Sequence, residues 1–121
     1  MNLQECYEAF GGSYEDVKTR LAKDTLIHRL VIKFLDDKTY ESLLRAMENK
    51  DYGDAFRGAH TLKGLCQNLS FERLGKSASA LTELLRNWES EPVDEVMCES
   101  LWRQVSEDYM SVVNAIKDLK E

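Results

Sequence analysis

The chain has 121 residues, 43% of them hydrophobic and 31% charged, and a net charge of −6. That is enough for one domain with a real core and too little for two, and the acidic balance argues against nucleic-acid binding, which needs a basic face. A single proline (Pro92) and six glycines disfavour a loop-rich or all-β design.

The apolar pattern predicts a short helix from Leu3 to Phe10, broken by Gly11-Gly12. Ser13 to Asp16 resembles a capping box and opens a second short helix to about Arg20. From Asp24, Leu26, Ile27, Leu30, Val31, Phe34 and Leu35 form a broad stripe at helical spacing. Thr39 is the expected cap of a helix that buries Tyr40, Leu43, Leu44 and Met47, and residues 49–53 form a turn. Ala55, Ala59, Leu62, Cys66 and Leu69 follow at spacings of 4, 3, 4 and 3, and Ser70 is the expected cap of the next helix. In that helix Phe71, Leu74, Ala78, Leu81, Leu85 and Trp88 run at spacings of 3, 4, 3, 4 and 3. A loop at Ser90–Val93 places Pro92 in the first turn of a last helix, which buries Cys98, Leu101, Val105, Tyr109, Val112, Ile116 and Leu119.

No segment alternates with period two, and the connections between the long helices are short. The expected architecture is all-α: an up-down antiparallel four-helix bundle with additional short N-terminal helices, one domain over residues 1–121. Met1 and the helical pattern running to Glu121 point to a free-standing domain. No apolar run reaches the roughly 18 residues of a membrane span, and the N-terminus lacks a signal peptide's basic start and apolar core. Cys6, Cys66 and Cys98 are widely spaced and odd in number, with no CxxC pair, so they read as free thiols in a reducing cytoplasm.

The densest chemical signal is Ala59-His60-Thr61-Leu62-Lys63-Gly64. Histidine, lysine at i+3 and glycine at i+4 share one helix face. A mid-helix glycine costs about 1 kcal/mol against alanine, which asks for a reason. Clearance for a bulky visitor to the imidazole is one, and the lysine suggests that the visitor is negative. At about 100° per residue from the apolar seam, Lys63 lies about 80° away, Gln67 about 120°, His60 about 140° and Gly64 about 180°. His60 therefore projects from the flank. On the next helix Gly75, Ser79, Thr82 and Arg86 form a stripe beside the seam that can face it.

With these residues in view, the segment from Arg57 to Arg86 resembles the histidine-containing phosphotransfer (HPt) domain family. The likeness continues upstream through Gly12-Ser13-Tyr14, Arg20-Leu21, Phe34 and Asn49-Lys50-Asp51, so it covers residues 10–90, and the last helix matches as a generic bundle helix. The resemblance implies that His60 is the phospho-acceptor, Lys63 a counter-charge, Gly64 clearance for phosphate and partner, and Arg86 a basic neighbour. One departure stands out: Thr82 sits where several members carry a glutamine or glutamate that orients the imidazole. Gln67 and Glu83 are the candidates to take its place. Ser70 replaces a glycine common in the family.

What the resemblance implies about function is a relay. His60 would accept a phosphoryl group from an aspartyl phosphate on a response-regulator receiver domain and pass it to another receiver in two-component signalling, with a hybrid histidine kinase as a further partner. Mg²⁺ would belong to the receiver; this chain would carry no cofactor, act as a cytoplasmic monomer and lack kinase activity of its own, having no Gly-rich phosphate loop. Phe56, Phe10 and Tyr14 are candidates for partner docking, with core packing as the alternative for each. A competing function is a bundle that only binds a receiver or kinase. A metal or haem protein is a weaker third, because His28 and His60 are the only histidines and no Glu-x-x-His motif occurs.

Overall fold

The computed structural model describes residues 1–120; Glu121 lies outside them. Seven α-helices occur among these residues: α1 (Leu3–Phe10), α2 (Tyr14–Leu21), α3 (Asp24–Lys33), α4 (Thr39–Glu48), α5 (Tyr52–Leu69), α6 (Glu72–Leu85) and α7 (Glu95–Lys120), with a 3₁₀ turn at Phe34–Asp36. The fold is an all-α bundle. α5 packs between α4 and α6, and α6 between α5 and α7. Tyr40 of α4 stacks on Tyr109 of α7 with ring centroids 3.7 Å apart, which closes the four-helix ring. α1 lies along the outside of α7.

The four bundle helices are unequal. α7 has 26 residues and α5 has 18, against ten in α4. α4 therefore covers only the first half of α5, where Gly58 lets the helices approach: a Cβ there would sit 3.2 Å from the Leu43 Cβ. The second half of α5 meets the end of α3 and the 3₁₀ turn, where Leu30 and Phe34 line a groove with Leu65 and Leu69.

At the helix ends, local capping signals compete with tertiary contacts. The full capping box is at Asn2 and Glu5: Glu5 N donates to Asn2 Oδ1 at 2.8 Å and Asn2 N to Glu5 Oε1 at 2.9 Å. α1 ends at Gly11, whose φ of +77° is the left-handed conformation that glycine adopts without penalty. At Ser13 only half the expected box forms, with Asp16 N donating to Ser13 Oγ, because the Asp16 carboxylate is drawn elsewhere. It accepts from Ser70 Oγ at 2.5 Å, and Arg20 donates to that same hydroxyl.

Ser70 is accordingly not the cap of α6. It ends α5 in the left-handed conformation (φ 59°), and α6 starts from Phe71 without a side-chain cap. The left-handed backbone explains why glycine suits this position; here the Asp16 and Arg20 contacts and the Ser13 N to Ser70 O bond (2.9 Å) hold the serine in place and clip α2 to the α5–α6 corner. Thr39 is not a cap either: it is the first residue of α4, and its N–H donates to Asp37 Oδ1 at 2.8 Å. Pro92 precedes α7 without entering it, since Asp94 caps that helix by accepting from Met97 N at 3.0 Å.

The core follows the expected seams: Ala55, Ala59, Leu62, Cys66 and Leu69 of α5 and Phe71, Leu74, Ala78, Leu81 and Leu85 along α6 are all buried. Trp88 departs from that seam. α6 ends at Leu85, so the indole is carried past the helix, remains 38% exposed, and rests on Gly53, where a Cβ would come within 2.9 Å of its ring. Phe10 is a core residue at 1% exposure, packed against Tyr7 and Phe71 at centroid distances of 5.1 and 4.8 Å. Burying Phe10 puts it out of a partner's reach. Tyr7 also donates its hydroxyl to the Leu69 carbonyl at 2.8 Å, satisfying an orphan acceptor at the end of α5. All three cysteines are free and buried, and burial pushes the Cys6 thiol up to about 11 and the Cys66 thiol up to about 12.

Candidate functional site

α5 holds the site. Asp51 accepts from Asp54 N at 3.1 Å and fixes its first turn. One stripe of the helix then carries Phe56, His60, Lys63, Gly64 and Gln67. His60, Gly64 and Gln67 are exposed, while Phe56 and Lys63 are half-buried. The space beside Gly64 is open: a Cβ added there meets no atom within 4 Å. Packing inside the domain therefore does not require a glycine at this position.

α6 supplies the second wall. Arg86 follows its last turn and gives two hydrogen bonds to Glu83, from Nε to Oε2 at 3.1 Å and from Nη2 to Oε1 at 2.8 Å. The same guanidinium lies over the Phe56 ring, 5.5 Å from its centroid, and the Phe56 and His60 rings are 6.1 Å apart. The Arg86 hydrogen bond holds the Glu83 carboxylate below the usual glutamate range, with smaller contributions from the charges of Arg86, Lys63 and His60. Sequence spacing offered Glu83 as a partner for the imidazole; the structure pairs it with Arg86 instead, and places that guanidinium on Phe56 of α5.

Thr82 does not join this group. It is fully buried, and its hydroxyl donates to the Ala78 carbonyl at 2.7 Å, one turn back in its own helix. A short side chain turned to its own backbone leaves nothing to reach an exposed imidazole. Gln67 lies further along α5, beside a groove of about 380 Å³ that it lines with Lys63, Gly75 and Ser79. Tyr14 is half-buried and engaged, its hydroxyl donating to Asp24 at 2.6 Å and its ring set edge-on to Tyr7. His28 is exposed on α3, away from His60, and no group of three or more His, Cys, Asp or Glu side chains suited to a metal occurs among the described residues.

His60 is thus exposed on the same stripe as Lys63 and the open Gly64, and Phe56 on that stripe carries the Arg86 guanidinium. A family model described as Hpt domain matches residues 33–119. The chain belongs to the Hpt domain family. Hpt domains are phosphotransfer carriers of two-component signalling and not kinases, and they work with receiver domains and histidine kinases. The matched region takes in α4 to α7 and leaves out α1, α2 and all of α3 but Lys33, so the upstream likeness at Gly12-Ser13-Tyr14 and Arg20-Leu21 lies outside it. No curated protein and no solved structure gives a match. No helix among the described residues is long and apolar enough to cross a membrane.

Proposed function

We propose that His60 is the acceptor of this Hpt domain, taking a phosphoryl group from the aspartyl phosphate of a response-regulator receiver domain and passing it to a second receiver. The observation that carries the reading is the pairing of an exposed His60 with unfilled space at Gly64. A free imidazole nitrogen attacks phosphorus, the P–O bond to the donor aspartate breaks with its electron pair returning to that carboxylate, and a P–N bond forms. Delivery onto the second receiver reverses these bonds. Such transfer is chiefly positioning and charge neutralisation. Lys63 and Arg86 supply positive charge beside the transferring group, and Mg²⁺ belongs to the receiver. Phe56, Gly64 and Gln67 form the face the receiver meets.

A binding-only bundle is the second reading. It is favoured by one observation: Thr82 is committed to Ala78, so the imidazole has no orienting partner from that position. Incubation with phosphorylated receiver domains decides between them. The relay reading expects an acid-labile, base-stable label on the protein that His60→Gln abolishes. A wild-type protein that binds receivers yet takes no label from any of them overturns it and leaves the binding role.

A further inference from the structure

Arg86 does not stand free beside the acceptor. Its guanidinium is held from two sides, by the two hydrogen bonds to Glu83 and by the face of the Phe56 ring. Phe56 is one helical turn before His60, and the two rings are 6.1 Å apart, so the guanidinium is held on the ring next to the imidazole. Both charged side chains are about half exposed, Arg86 at 45% and Glu83 at 57%. An exposed pair of this kind contributes little to folding. A carboxylate in the field of a phosphoryl acceptor is also a local cost once a dianion arrives. The arrangement is therefore better explained by what it does to Arg86 than by stability.

We infer that Glu83 is a positioning residue: it parks Arg86 on Phe56 and so limits the guanidinium's grip on a phosphoryl group at His60. The inference rests on His60 being the acceptor. A phosphoryl group presents oxygens that a guanidinium can grip as it grips a carboxylate, with two parallel, charge-assisted hydrogen bonds available. An arginine released from Phe56 would hold the group on the histidine. A carrier has to release what it takes. With Glu83 present, Arg86 must give up two hydrogen bonds to engage the phosphoryl group, and the net gain falls by the worth of the pair it leaves. The Glu83 carboxylate then takes water as its partner, which its exposure permits.

The test needs no receiver. The intact protein is phosphorylated with phosphoramidate, a small-molecule donor, and the decay of phosphohistidine is followed by ³¹P NMR. Glu83→Gln is expected to lengthen the half-life about threefold, the size of an exposed ion pair. Arg86→Gln is expected to shorten it, and the double variant to decay like Arg86→Gln alone. That last comparison is one that a merely structural role would not produce. A labelled wild type with an unchanged half-life in Glu83→Gln overturns this inference alone, as does a double variant that keeps the gain. A wild type that cannot be labelled overturns both this inference and the acceptor role of His60.

Discussion

The Arg86 guanidinium lies over the Phe56 ring, 5.5 Å from its centroid, and this contact joins the end of α6 to the stripe of α5 that carries His60. It gives Phe56 a task that apolar burial alone does not require. Phe56→Leu keeps most of the apolar volume and removes the π face. A cation–π contact at an exposed site is worth about 0.5–1 kcal/mol, so freeing the guanidinium is expected to slow delivery of the phosphoryl group from His60 to a receiver by about threefold, while Phe56→Tyr keeps the wild-type rate. Equal rates for leucine and phenylalanine would remove the ring from the site.

Thr82 gives a prediction of the opposite kind. Its hydroxyl is spent on the Ala78 carbonyl within a fully buried environment. Thr82→Val keeps the shape and loses one intrahelical hydrogen bond, which costs about 1 kcal/mol of stability. Transfer through His60 is expected to stay within about twofold of wild type, because no imidazole contact is lost. A drop of tenfold or more would place Thr82 on the reaction path.

What could be read from the sequence divides along a physical line. Seams such as Ala55-Ala59-Leu62-Cys66-Leu69 were legible because burial of a helix face imposes its period on the residues themselves, and the same arithmetic put His60 on the flank. Ser70 was misread because its role depends on partners 50 and 54 positions away, Arg20 and Asp16, which turn a plausible cap into a left-handed corner. Phe10 and Phe56 are both aromatics on short-period patterns. Only packing sends one into the Tyr7–Phe71 cluster and leaves the other half-open beside His60. Thr82 alone of its stripe departs, for a related reason: an angle on a helical wheel shows which way a side chain leaves the helix, and not whether its hydroxyl turns back to its own backbone.

Gly64 separates fold from function. A Cβ there meets nothing within 4 Å, so Gly64→Ala carries no steric penalty inside the domain. Alanine in place of a mid-helix glycine is expected to raise stability by up to about 1 kcal/mol, read as a higher Tm. If the receiver approaches His60 across this gap, as proposed, the same methyl stands in its way, and transfer from a receiver is expected to slow. A more stable variant with an unchanged transfer rate would show that the gap is not used by the partner.

The α2–α3 junction is expected to loosen in acid. Asp24 accepts from the Tyr14 hydroxyl at 2.6 Å and from Lys18 Nζ at 2.9 Å. The Tyr14 hydrogen bond first, and then that of Lys18, hold its carboxyl below the ordinary aspartate range. An acid whose folded value is depressed adds stability that is fully present above its unfolded value and is lost as pH falls through the folded one. Asp24→Asn is therefore expected to lower the Tm at neutral pH, with the gap to wild type closing as pH drops well below the ordinary aspartate range of about 3.9. Thermal melts of both proteins across that interval check the sign. A gap that persists unchanged in acid would mean that the ionised carboxylate is not what holds Tyr14 and Lys18 to α3.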